Sequence, residues 1–249
     1  MERNDLRLLF EQTVRRSQDQ VGDVKAAFAE SRFAEGERTA EFLRRLFPSV
    51  FEGRPTIVDL GSGNGGMLFP FASLGRCIAL DTYVDPDLRR IVRLSRVGGV
   101  HQVEAVAQAL PVASESVDLV ILAEVLEHLT RPSAAGAEIM RVLRPGGICL
   151  LSTPPRLVFA RRPDPHFQIP FLVALPDPLQ RLVARLLRPG VPYDVAHIYS
   201  TTWGIARQFP RGSFKMHVIS HRSNWTRHLS WNYLVLQRLA ANGSGWPPG

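Results

Sequence analysis

The chain has 249 residues, 45% of them apolar and 21% charged, which suits one sizeable globular core with room for an appendage and excludes an intrinsically disordered chain. Thirty basic against 23 acidic residues leave a formal charge of +7, a surplus that suits nucleic acid, anionic lipid or phosphorylated partners and equally suits an arginine-biased composition with no partner. Two cysteines, no apolar run long enough for a bilayer and no apolar core in the first residues exclude a disulfide framework, a membrane span and a signal peptide, and point to a reducing cytosol.

From Leu6 to Phe47 apolar residues recur at helical spacing, which predicts two or three amphipathic helices closed by Pro48. "PTIVDL" then reads as a β-branched strand, followed by a glycine turn and a short helix, "MLFPFASLG", ended by Gly75. "CIALD" is a second strand. "DPDLRRIVRLSRVGG" is a helix with Asp85 as N-cap and Pro86 at its first position. "VHQVEAV" is a weak strand and "SVDLVILA" a strong one. "SAAGAEIMRVLRPGG" reads as a helix capped by Ser133 and stopped at Pro145-Gly146-Gly147, and "ICLLSTP" as another buried strand. Strands and helices alternating from Thr56 to Pro154, with strands apolar nearly throughout, predict a parallel sheet with helices on both faces. The alternation stops after Pro155. A proline- and arginine-rich stretch follows, with "PLQRLVARLL" as an amphipathic helix, and then two strand-like runs, "FKMHVIS" and "WNYLVLQRLA", before a loose tail.

The glycine turn is "VDLGSGNGG". Gly61, Gly63 and Gly66 have the spacing of a dinucleotide-binding turn, a weak signal by itself. Asp59 stands two residues before Gly61. An acid there repels the pyrophosphate that such a turn would place on its amides and suits a ligand with a cationic end, such as an α-amino group. Asp81 ends the second strand, 18 residues after Gly63, where a carboxylate accepts from ribose hydroxyls of either ligand. Its bland alternative is an ordinary acid in a surface loop.

Six landmarks in order resemble the class I methyltransferases that use S-adenosylmethionine. They are Asp59 with Gly61, Gly63 and Gly65; Asp81; Leu110-Pro111; Val117-Asp118 with Val120; Leu126-Glu127-His128; and Arg141 with Leu143-Arg144-Pro145-Gly146-Gly147. The resemblance covers about residues 33–155 and the two C-terminal strands. It implies a Rossmann-like α/β fold: a seven-stranded mostly parallel sheet with an antiparallel C-terminal hairpin. It divides the chain into a helical extension over 1–31, a cofactor-binding core over 32–155, a substrate lid over 156–200 and sheet-completing strands over 201–249. It further implies S-adenosylmethionine as cofactor, held by Asp59, Gly61, Ser62, Gly63, Asp81, Thr82, Ala107, Gln108 and Ala123. Many members carry an acid where this chain has Val106; Gln108 and the Ala107 amide are the substitutes for holding the adenine edge.

The turn "AEVLEHL" offers Glu124, Glu127 and His128 for the chemistry. Three readings stand. His128 is a general base for an acceptor hydroxyl, with Glu124 beside it. Or Glu124, Glu127 and His128 bind a divalent metal, with His166 or His197 as a further ligand; this E-x-x-E-H spacing resembles ubiquinone-biosynthesis and small-RNA 2′-O-methyltransferases. Or the triplet is structural, with Glu127 capping a turn. A metal is the less favoured cofactor. The first function is O-methylation of a small-molecule, glycan or lipid-linked acceptor by in-line transfer, in the cytoplasm or at a membrane surface. RNA 2′-O-methylation and a non-catalytic adenosyl-ligand-binding protein are the alternatives, and nucleic acid is the less favoured partner. His166, Phe167, Phe171, Tyr193, His197 and Tyr199, with the arginine-bearing helix, read as a lid over the acceptor or as ordinary packing with its arginines in water.

Overall fold

The computed structural model describes residues 7–13, 23–95, 99–156, 167, 169–190, 195–219 and 233–240. A helical segment over 7–13 precedes α1 (Asp23–Leu46), β1 (Thr56–Leu60), β2 (Arg76–Asp81), α2 (Pro86–Ser95), β3 (Val100–Glu104), β4 (Val117–Ala123), α3 (Pro132–Val142), β5 (Leu143–Ser152), α4 (Asp177–Leu187), α5 (Thr202–Ala206), β6 (Phe214–Ile219) and β7 (Tyr233–Arg238). The seven strands form one sheet in the order β3-β2-β1-β4-β5-β7-β6. β1 pairs in parallel with β2 and β4, β2 in parallel with β3, and β6 antiparallel with β7. This is the expected α/β architecture, with the helices around a mixed sheet. The strand order reverses between β1 and β4, the point at which such sheets leave a crevice beyond their carboxyl ends.

The chain divides into two compact units. The first comprises Met1–Ile121 with Arg141–Ile148, the second Leu122–Met140 with Cys149–Gly249. In the first, Ile57, Val58 and Leu60 of β1 are buried because the strand is paired on both edges and covered on both faces. Leu68, Phe69 and Phe71, Leu88 and Ile91 of α2, and Phe33 and Leu43 of α1 complete this core, and the Phe10 ring lies 5.1 Å from Phe33 and 6.0 Å from Phe69. The second core holds Leu126, Ile139, Leu150, Ile205, Phe209 and Leu234–Leu236. Both cysteines are buried and free.

Three local expectations change. "MLFPFASLG" forms a 3₁₀ turn at Phe69–Phe71, not an α-helix. Pro70 has no amide to donate, and Phe71, Ala72 and Leu74 bond three residues back. The helix before Pro145 ends at Val142 and the chain is extended from Leu143, because a residue before proline avoids the helical region and Gly146 turns left-handed at φ 81°. Ser133 does not cap α3. The helix starts at Pro132, so Ser133 lies inside the first turn and donates to Gln208 Oε1 at 2.8 Å. By contrast Asp85 caps α2 as expected: its Oδ1 accepts from the amides of Asp87 at 2.9 Å and Leu88 at 3.0 Å.

Candidate functional site

The glycine turn of the first unit spends its amides on the protein itself. Gly61 and Ser62 donate to the Leu80 carbonyl at 2.8 and 3.2 Å, Gly63 to Asp81 Oδ2 at 2.8 Å, Gly65 to the Ser62 carbonyl at 2.8 Å and Gly66 to Asn64 Oδ1 at 3.1 Å. A phosphate cradle needs such amides free. The turn therefore offers backbone room, not a nest of donors. Gly65 shows why the room needs glycine. Its φ is +80°, and a Cβ there would stand 2.8 Å from Leu88 Cδ1 and 3.0 Å from the Phe69 ring.

Asp59 is the group left unspent. It is 2% exposed, and its Oδ2 has no hydrogen-bond partner. Burial raises its pKa to about 7, the Arg32 charge opposing and the Asp81 charge adding to the shift. Such an oxygen is costly unless a donor reaches it, and a cationic amine answers the charge and the hydrogen bond together. The buried Ser62 Oγ beside it is likewise without a partner. These residues fit the amino-acid end of S-adenosylmethionine and do not fit a diphosphate.

Asp81 stands at the end of β2, pinned by the Gly63 amide and by the Thr82 amide and hydroxyl on Oδ1 at 2.7 and 3.3 Å. A carboxylate has about four acceptor sites, so it keeps capacity for a ribose hydroxyl. The loop after β3 starts beside it, where Ala105 donates to the Asp81 carbonyl at 2.8 Å. In that loop Ala107 is buried, Gln108 partly buried, and Val106 half-exposed, bridged to Ala109. Tyr83, half-exposed and donating to Asp85 Oδ2 at 2.9 Å, is a neighbour that sequence reasoning missed; an aromatic two residues past Asp81 was the available signal. The remaining landmarks of this unit are braces. Arg141 donates to the carbonyls of Val112 at 2.9 Å and Leu110 at 3.1 Å. Arg144 pairs with Asp118, whose other oxygen accepts from the Thr56 amide at 2.7 Å.

In the second unit β4 ends at buried Ala123, and Glu124 follows with left-handed backbone, φ 59°, its amide donating to the Ser152 carbonyl at 3.0 Å. For a non-glycine residue this conformation is strained, and such strain concentrates at functional turns. A 3₁₀ turn spans Leu126–His128, and no side chain caps it, so Glu127 does not have the expected capping role. Glu127 points inward instead: it is 1% exposed, and neither carboxylate oxygen makes a hydrogen bond of standard geometry. Burial, and next the charge of Glu124, hold its pKa well above the carboxylate range; Thr153 lies near enough to oppose the shift. The Glu127 carbonyl accepts from the amides of Ala196 at 2.8 Å and His197 at 2.9 Å. This ties the turn to the segment holding His197 and Tyr199, whose rings are 6.2 Å apart. His128 is half-buried. Ser152 Oγ, Thr153 Oγ1, His197 Nε2 and the Tyr199 hydroxyl are all buried without partners, and burial with the Glu127 charge raises the Tyr199 pKa. Sequence reasoning had passed over Ser152 and Thr153. Two hydroxyls closing an otherwise apolar strand were the signal.

Among the described residues no three histidine, cysteine or acidic side chains group as a metal site. His166 and Tyr193 lie outside the described residues. No described helix is long and apolar enough to cross a membrane.

Residues 58–151 match the family model described as a methyltransferase domain. An uncharacterized methyltransferase of Mycobacterium ulcerans is 38% identical over 98 residues, 39% of this chain and 38% of its own length. The match thus spans well under half of that relative. In the solved structures, Haemonchus contortus phosphoethanolamine N-methyltransferase 1, held with phosphoethanolamine and S-adenosylhomocysteine, aligns with 99% of this chain and 52% of its own at TM-score 0.56 and 18% identity. The [4+2]-cyclase SpnF aligns with 82% of this chain and 81% of its own at TM-score 0.52 and 14% identity. At these identities the likeness concerns the fold, and a fold carries no chemistry by itself.

Proposed function

Because residues 58–151 match the model of a methyltransferase domain, we propose that the chain is an S-adenosylmethionine-dependent methyltransferase acting on an oxygen of a small-molecule, glycan or lipid-linked acceptor. The observation that carries this reading is the buried, unpartnered Asp59 oxygen beside a turn whose amides are spent. Bound there, S-adenosylmethionine would supply a methyl carbon on a positive sulfur, so that displacement leaves a neutral thioether. Asp59 receives the amino group, with Gly61, Ser62 and Gly63 giving way to the methionine chain. Asp81 and Thr82 would receive the ribose, and Ala107 and Gln108 would border the adenosine. Half-exposed Val106 offers the base an apolar contact in place of a carboxylate.

On the acceptor side His128 takes the proton of the attacking hydroxyl, and Glu124, fixed by its strained turn, orients that hydroxyl. The buried hydroxyls of Ser152 and Tyr199 support an oxygen-bearing acceptor, since each lacks a hydrogen-bond partner. Calorimetry with S-adenosylhomocysteine tests the cofactor half: folded protein that does not bind it overturns the reading. For the acceptor half, His128→Ala should lower kcat about 10²–10⁴-fold on any hydroxylated acceptor the native protein methylates, with the affinity for S-adenosylhomocysteine unchanged. Undiminished turnover removes His128 from the mechanism.

A further inference from the structure

The helix α4 is turned the wrong way round for a helix that serves only the core. The residues it buries are Gln180 and Ala184. Ala184, with Val183, packs on Phe167, Ile169, Leu172 and Val195, while Gln180 Nε2 donates to the Leu175 carbonyl at 2.8 Å. Its leucines face out: Leu179 is 47%, Leu182 52%, Leu186 67% and Leu187 59% exposed. At 100° per residue Leu179, Leu182 and Leu186 fall on one side of the helix, and Phe171, 60% exposed, adds an aromatic in the turn ahead. By the same spacing Arg181 and Arg185, both exposed, flank the leucine row, between it and buried Ala184, and Arg188 follows them, its Nε on the Phe167 carbonyl at 3.0 Å. From residue 177 to 215 the chain carries Arg181, Arg185, Arg188, Arg207, Arg211 and Lys215 against only Asp177 and Asp194.

We propose that α4 docks this protein on an anionic lipid surface, with its leucines in the boundary between headgroups and acyl chains and its arginines on lipid phosphates. An exposed leucine row beside a basic row is the arrangement an interfacial helix needs, since apolar insertion and electrostatic attraction then act together. A second copy of the chain fits less well. Four leucines on an 11-residue helix fall short of the ~800 Å² per partner that a stable protein interface buries, and such a pairing sets arginine rows of like charge against each other. The inference is independent of methyl transfer, because membrane binding needs neither cofactor nor acceptor.

The test is co-sedimentation of the full chain with phosphatidylcholine vesicles, with and without phosphatidylglycerol. Binding is expected only with phosphatidylglycerol and should weaken as salt is raised. Arg181→Glu with Arg185→Glu should weaken it at least about 30-fold, at roughly a factor of five per arginine. Leu182→Glu with Leu186→Glu should weaken it at least about tenfold; all four side chains are exposed, and unchanged circular dichroism and thermal midpoint will show that the variants fold. Failure to bind phosphatidylglycerol vesicles overturns the proposal, as does binding that the leucine variant leaves unchanged. A concentration-dependent dimer abolished by the leucine variant assigns the face to a second copy and overturns it equally.

Discussion

Among the described residues each unit buries one carboxylate at or just beyond the end of a central strand, and the two are held differently. Asp59 lies among the buried residues of β1, just before a turn whose backbone is fixed by left-handed glycines and whose glycine amides are satisfied. Glu127 follows β4 in a 3₁₀ turn with unpartnered hydroxyls and an imidazole nitrogen in the same unit. The first stands with only Ser62 Oγ unmet beside it, in a turn whose glycine amides are satisfied; the second is one of several unmet groups. A turn with one unmet carboxylate oxygen and spent amides selects a ligand group closely, here an amine. A cluster with several can be met by different acceptors, and that is why the cofactor is easier to name than the acceptor.

The largest expected effect is therefore at Asp59. Asp59→Asn should weaken S-adenosylhomocysteine binding about 10–100-fold, the worth of a charge-assisted hydrogen bond, whereas Glu127→Gln should leave that affinity unchanged in calorimetry. A comparable loss in both variants would erase the distinction between the units. The same substitution should make the free protein more stable at alkaline pH. In the folded chain Asp59 keeps its proton up to about pH 7, while the unfolded chain has released it by about pH 4. The folded state then binds the extra proton, so native stability falls as pH rises through that window and levels off above it. Asparagine removes the fall, a gain of up to roughly 4 kcal/mol above pH 7. The thermal midpoint of the variant should thus exceed the native value at about pH 8 and approach it at about pH 4. Glu127→Gln should act with the same sign, its gain growing as pH rises beyond the ordinary carboxylate range.

A second pair of substitutions separates packing from binding. Gly65→Ala forces a left-handed alanine against Leu88, and Gly136→Ala in α3 drives a Cβ to 2.0 Å from the Gln208 carbonyl oxygen. Each should cost about 2–3 kcal/mol in urea unfolding. Gly65→Ala should also weaken S-adenosylhomocysteine binding, because the turn must shift; Gly136→Ala should not. If both weaken it equally, the glycine turn has no special claim on the cofactor.

What the sequence disclosed follows the same division. β1 and β4 were readable because a buried parallel strand must be apolar on both faces, whereas the edge strand β3, with His101, Gln102 and Glu104, gave only a weak signal. The glycine turn was readable because its left-handed angles favour glycine, and the acid ahead of it has few uses. The braces were readable as letters but not as roles: Arg141 and Arg144 stood in the motif, yet their partners, the Leu110 carbonyl and Asp118, are 31 and 26 residues away in sequence and meet only in the fold. Of the cluster of Glu127, Thr153, His197 and Tyr199, the sequence offered His197 only as one of two possible metal ligands beside Glu127, and Thr153 not at all. No periodicity links those positions, and the segment 195–199 reaches Glu127 through two backbone amides that any residue could supply.

The smallest effects compare helix starts, one in each unit. Asp85→Ala should cost about 1 kcal/mol, because two amides of the first turn of α2 lose their acceptor. Ser133→Ala should cost only a few tenths of that. Proline is preorganised for the first helical position, so Pro132 starts α3 and moves the cap to Arg131, leaving Ser133 with nothing but an exposed bond to Gln208. Both residues sit next to a proline at the head of a helix, and their order decides the outcome: an acid before the proline caps, a serine after it cannot. Equal losses in chemical unfolding would show that Ser133 caps in solution and that the helix starts one turn-position later than its proline dictates.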